Sequence, residues 1–143
     1  MASARVRLGL VALQLASLGW LGWRAAGAWP WPTAMDAWVA LWALWLLWSW
    51  RALGQSLSPD PKPNRRGLKT DGPYRWVRHP MYLGLLALGA GAALLDPWAV
   101  PALVTLGVAL VGKVRIEERL LRQTYPGYEE YSQRNWGLIP FLW

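Results

Sequence analysis

Four apolar runs, at 8–28, 35–50, 81–95 and 98–112, limit what this 143-residue chain can fold into. The first holds about 20 residues, the length of one helical crossing of a bilayer core. The last two are shorter and only Asp96-Pro97 parts them, so they read as a tight helical hairpin. Charged residues make up 16% of the chain, against about 25% in soluble domains. The expectation is an all-α, polytopic membrane protein with about four transmembrane helices. A loop and a C-terminal amphipathic helix complete it. Residues 1–53 form an N-terminal helix pair and 54–143 a functional core, within one compact domain.

The breaks between runs have different chemistries. Pro30 and Pro32 turn the chain after the first run. A secretory signal ending at Ala26-Gly27-Ala28 is the rival reading of that run. Trp20, Trp23 and Arg24 are atypical of such a signal and, with Trp29 and Trp31, suit an interfacial belt. In the second run Trp38, Trp42, Trp45 and Trp48 recur at spacings of three and four, a single helical stripe suited to packing or lipid contact. Residues 51–78 are polar, carry seven of the 15 Lys and Arg, and include Pro59-Asp-Pro-Lys-Pro63, which cannot be regular helix. Such long connections tend to be lids, binding loops or disordered linkers. The fourth run should continue as helix to about Gln123, before Pro126-Gly127.

Charge sets an orientation. With the N-terminus in the cytoplasm, four crossings put every Lys and Arg except Arg24 on the cytoplasmic side, while the opposite turns hold the acids Asp36 and Asp96. This places the protein in the inner membrane, with both termini and the polar loop cytoplasmic. The net charge of +7 then belongs to lipid head groups rather than to nucleic acid, for which no recognition motif is present. The chain has no cysteine and one histidine. That excludes disulfides, thiolate catalysis and Cys-type metal sites, and no metal partner is expected.

The polar residues that remain sit at the two ends of the hairpin. Tyr74, Arg78, His79 and Tyr82 precede it, and Arg115, Glu117, Glu118 and Arg119 follow it. A hairpin joins its own ends, so the two groups should meet. Arg and His donors suit a carboxylate or phosphate, a Glu suits hydroxyls or an ammonium, and tyrosines supply flat walls. With no triad and no P-loop, the chemistry suited to such a pocket is the alignment of two reactants. Each residue also has a plainer reading. His79 before Pro80 can cap the third helix, and the Glu pair beside Arg115 and Arg119 can be a solvated helix face. Arg75 and Arg78 can anchor head groups, and Tyr125, Tyr128, Tyr131 and Trp136 read as interfacial.

Leu68-Lys-Thr-Asp-Gly-Pro-Tyr-Arg-Trp-Val-Arg-His-Pro-Met-Tyr-Leu-Gly84, then the hairpin, then Glu117-Glu118, Tyr128-Glu-Glu-Tyr131 and Gly137-Leu-Ile-Pro-Phe141 form a longer pattern. It resembles the isoprenylcysteine carboxyl methyltransferases and, more broadly, the membrane methyltransferases that include phospholipid methyltransferases. The resemblance covers about residues 51–143. It implies S-adenosylmethionine as methyl donor and a lipid-like or small hydrophobic acceptor, methylated on a carboxylate or an amine. It implies cofactor contacts from Arg66, Gly67, Leu68, Lys69, Tyr74, His79, Pro80, Met81, Tyr82 and Glu117. It further implies Arg115 as the residue engaging the acceptor, with Glu118 a candidate base. Two other readings stay open: a non-enzymatic membrane module, and a sterol-reductase-like enzyme using NADPH on a related scaffold.

Overall fold

A computed structural model describes residues 4–54 and 67–141. Among these the chain is helical: α1 Ala4–Gly27, α2 Thr33–Leu53, α3 Pro80–Leu95, α4 Val100–Thr124 and α5 Tyr128–Arg134. Two helical stretches, Ala4–Gly27 and Pro97–Thr124, are long and apolar enough to cross a membrane. With 16 residues, α3 spans about 24 Å, short of a hydrocarbon core of roughly 30 Å. The 25 residues of α4 span about 37 Å, so its charged last turns can project beyond that core.

The hairpin forms as expected. Asp96 ends α3, its side chain accepts a hydrogen bond from the Trp98 N–H at 3.0 Å, and a turn over Pro97–Ala99 leads into α4. The helices then pair as α1 with α4 and α2 with α3, with α3 touching all three others. The core is the apolar seam of Leu21, Ala92, Ala99, Leu106 and Leu110. The first run is therefore an integral layer of the bundle. Arg24, the one cation at that end among the described residues, bonds Asp96 through its Nε and a terminal nitrogen.

The tryptophan stripe of α2 is a packing surface. The indoles of Trp38 and Trp45 donate to the carbonyls of Ala87 (2.9 Å) and Pro80 (2.8 Å) on α3. The rings of Trp38, Trp42, Trp45, Trp48 and Trp76 follow one another with centroids 5.7–6.0 Å apart, the first pair tilted and the rest edge to face. Small residues on α3 permit this approach. A Cβ on Gly91 would lie 2.9 Å from the Trp38 ring, and one on Gly84 would lie 2.7 Å from Leu46.

Candidate active site

The site is built at the joined ends of the hairpin. A short 3-10 turn at Gly72–Arg75 brings the chain to α3. Gly72 opens it at φ +57° with the Ala52 methyl 3.1 Å from where a Cβ would stand, so both backbone and space call for glycine. His79 then occupies the N-cap of α3 and Pro80 its first turn, but the imidazole does not cap the helix. It turns instead toward α4. Its Nδ1 is 3.3 Å from Glu117 Oε2, and its Nε2 is 3.5 Å from Glu118 Oε1. The second approach lacks hydrogen-bond geometry, which leaves Nε2 buried without a hydrogen-bond partner among the described residues.

Each glutamate has a second anchor. The Tyr82 hydroxyl, one turn into α3, donates to Glu117 Oε1, and the Tyr82 and His79 rings stack nearly parallel at 5.7 Å. Arg78 reaches Glu118 Oε1 with Nε at 2.9 Å and a terminal nitrogen at 2.8 Å. Its other terminal nitrogen donates to the carbonyls of Ser132 and Asn135, each at 2.7 Å. One guanidinium thus ties α4 to the C-terminal tail, a task that suits the fixed fork of arginine.

The tail closes over the pre-hairpin segment. The backbone N–H groups of Arg78 and His79 donate to the carbonyls of Trp136 (2.7 Å) and Gly137 (3.2 Å), and the Trp136 N–H returns to Trp76. The Tyr131 hydroxyl donates to the Tyr74 carbonyl at 2.6 Å. Tyr128 is 1% exposed. Tyr128 and Tyr131 therefore belong to the clamp rather than to an interfacial belt.

Burial and charge bias the titrating groups. For His79, burial opposes the charged form, but the Glu117 and Glu118 carboxylates outweigh it and raise the imidazole above its ordinary value. For Glu118, burial pulls the other way from its partners. His79 and the Arg78 guanidinium prevail and hold the carboxyl down to about 2. Burial, then the nearby Glu117 charge, raise the Tyr74 phenol.

The structure brings some of the expected site residues together and leaves others apart. Tyr74, His79, Pro80, Tyr82, Glu117 and Glu118 come together. Met81 is half-buried beside them at the start of α3. Gly67, exposed at φ +98°, and the half-buried Leu68 and Lys69 lie on the approach to the turn. Arg66 lies outside the described residues. Arg115 is exposed on α4 and takes no part in the described network; the arginines facing Glu118 are Arg78 and, at 3.6 Å, Arg122. Glu118, paired this closely and held so far down, is a poor proton acceptor. Arg78 was visible in the sequence as part of the pre-hairpin cluster. Part of the tail's contribution had no physical signature, because Ser132, Asn135, Trp136 and Gly137 accept through backbone carbonyls, while Tyr131 and Asn135 also donate to the segment through their side chains. Among the described residues no group of three or more His, Cys, Asp or Glu is placed to hold a metal ion.

The phospholipid methyltransferase family profile matches residues 31–127, about two thirds of the chain, and the chain belongs to that family. It is 38% identical over 81 residues to the cobalt-zinc-cadmium resistance protein CzcN of Cupriavidus metallidurans. It is 32% identical over 81 residues to the nickel-cobalt-cadmium resistance protein NccN of Alcaligenes xylosoxydans xylosoxydans. Each match takes in 52% of this chain, and 36% and 37% of the respective relatives, so the chain covers little more than a third of their length. No solved structure matches significantly.

Proposed function

We propose that this chain is an S-adenosylmethionine-dependent methyltransferase of the inner membrane, acting on a lipid-like or small hydrophobic acceptor from a site on the cytoplasmic face. The observation that carries the reading is the buried His79–Glu117–Glu118 cluster at the hairpin base. It offers what a zwitterionic, hydroxyl-bearing cofactor needs. The carboxylates suit an ammonium or ribose hydroxyls. The buried Nε2 of His79, without a hydrogen-bond partner, suits a carboxylate oxygen. Tyr74 and Tyr82 supply flat walls, and Gly67–Lys69 lie on the approach.

When bound, S-adenosylmethionine supplies a methyl group already activated on a sulfonium. The chain's own contribution is then alignment and the exclusion of water. Glu118, pinned by Arg78, anchors the pocket floor; Glu117 and His79 hold the polar groups; the tail clamp keeps the segment from Tyr74 to His79 in register. Arg115, exposed on α4, is the residue proposed to orient the acceptor's head group. With Glu118 a poor base, the fitting acceptor is nucleophilic without help: a carboxylate, or an amine that arrives neutral. Metal resistance, which appears in the relatives' names, stays with those proteins.

Calorimetric titration of the protein in nanodiscs with S-adenosylhomocysteine tests the reading. Binding is expected. His79→Ala and Glu117→Ala should each weaken it roughly 10- to 100-fold, the loss of one charge-assisted hydrogen bond. Failure of the folded wild-type protein to bind sinks the proposal; unchanged affinity in both variants misplaces the site.

A further inference from the structure

We infer that Lys113 is a positioning residue of the cofactor site, and that α1 belongs to that site through it; this rests on the function proposed above. Lys113 is 3% exposed, in the part of α4 that packs against α1 and α3. It sits one helical turn before Glu117, on the apolar side of the cluster. A lysine so buried in a membrane helix is costly to keep, and such residues characteristically mark functional sites.

Its described contacts lead in two directions. The ammonium donates to Gln14 Oε1 on α1 at 2.7 Å. It also lies 5.1 Å from the centre of the Tyr82 ring, within the reach of a cation–π contact. Tyr82 is the residue whose hydroxyl holds Glu117 and whose ring stacks on His79. The line therefore runs Gln14, Lys113, Tyr82, Glu117, His79, from a helix at the edge of the bundle to the proposed cofactor pocket. Fixing the ring of Tyr82 fixes the position of its hydroxyl, and through the bond to Oε1 the rotamer of Glu117. Gln14 lies outside the 31–127 stretch that matches the family. On this account a residue beyond that stretch completes the site.

The plainer reading is that Lys113 and Gln14 merely fasten α1 to α4. That seam is tight a few residues away, where a Cβ on Gly112 would lie 3.1 Å from Leu10. Leu10→Ala therefore loosens the same seam without touching the charge.

The experiment compares wild type, Lys113→Met, Lys113→Arg, Gln14→Leu and Leu10→Ala, each as the whole chain in nanodiscs. It reads S-adenosylhomocysteine affinity by calorimetry and ligand-free thermal unfolding. Lys113→Met should weaken binding roughly tenfold, Lys113→Arg should restore most of it, and Gln14→Leu should weaken it several-fold. Leu10→Ala should lower the unfolding temperature while leaving affinity near wild type. Wild-type affinity in Lys113→Met, or an equal loss in Leu10→Ala, overturns the inference. Should Lys113→Met fail to fold, Gln14→Leu decides, and unchanged affinity there overturns it. If the wild-type protein does not bind at all, the proposed function fails, and the ligand-free data judge the network separately. Lys113→Met and Glu117→Gln combined should then shift the unfolding temperature non-additively, and strict additivity overturns the line from Lys113 to Glu117.

Discussion

Replacing Arg78 with Met should be the most damaging single change near the site. The Arg78 side chain is 9% exposed and that of Glu118 8%. Removing one partner of a buried ion pair destabilises by about 3–5 kcal/mol, because the other charge is left in place without compensation. Two neighbours soften this. Arg122 stands 3.6 Å and His79 Nε2 3.5 Å from the Glu118 oxygens, so the low end, about 3 kcal/mol, applies. The carbonyls of Ser132 and Asn135 also lose their donor, adding about 1 kcal/mol. At about 4 kcal/mol, a chain of this size should lose roughly 10 °C or more in melting temperature. Thermal unfolding in nanodiscs reads the loss, with Glu118→Gln as a second background. There the stranded charge is gone and Arg78→Met should lower the melting temperature by less than half as much. A fall below about 3 °C, or an equal fall in both backgrounds, refutes the view that Arg78 is held by a buried carboxylate.

Stability should depend on pH in two opposite limbs. His79 is raised in the folded protein, so its contribution is full below its ordinary value of 6.5 and is lost as pH rises through the folded value. Glu118 is held down to about 2, so its contribution is full above its ordinary 4.5 and is lost as pH falls toward 2. Unfolding scans of wild type against His79→Gln and Glu118→Gln should show the first variant losing the alkaline limb and the second part of the acid limb; superimposable profiles contradict both assignments. In the helix seams, Gly91→Ala should destabilise by about 1–3 kcal/mol through overpacking against the rigid Trp38 ring. Gly9→Ala has open space around it and should be neutral or stabilising by up to about 1 kcal/mol, and thermal unfolding of the pair checks the sign of each.

The hairpin was legible because its punctuation is local. Asp96-Pro97 between two apolar runs fixes a reversal, and equal run lengths on either side carry His79 to Glu117. The cation at the far end also yields to this logic, since Arg24 finds Asp96 across the bundle. The tryptophan stripe was readable as a face, and α3, with glycine at 84, 89 and 91, is the helix small enough to receive it. Arg115 shows where such reading stops. Successive residues on a helix turn by about 100°, so a residue two positions before Glu117 can leave the face that Lys113, Val114, Glu117 and Glu118 share. The spacing of Leu106, Leu110, Lys113 and Glu117 did hold a signal that the lysine faces inward, because 4–3–4 is the period of a buried stripe. The carbonyl contacts of the tail held none. A backbone carbonyl is the same in every residue, so nothing in the letters of Ser132 or Gly137 marks them as partners of Arg78 and His79.

The central claim is that the His79–Glu117–Glu118 cluster serves methyl transfer at a membrane. It is tested most directly by incubating the protein in host membranes with S-adenosylmethionine carrying a labelled methyl group, and measuring label in the lipid extract. The expected result is label in a lipid-soluble product with wild type, and at least a tenfold loss with His79→Ala and Glu117→Ala. Equal labelling by wild type and both variants, or none above membranes lacking the protein, contradicts the claim.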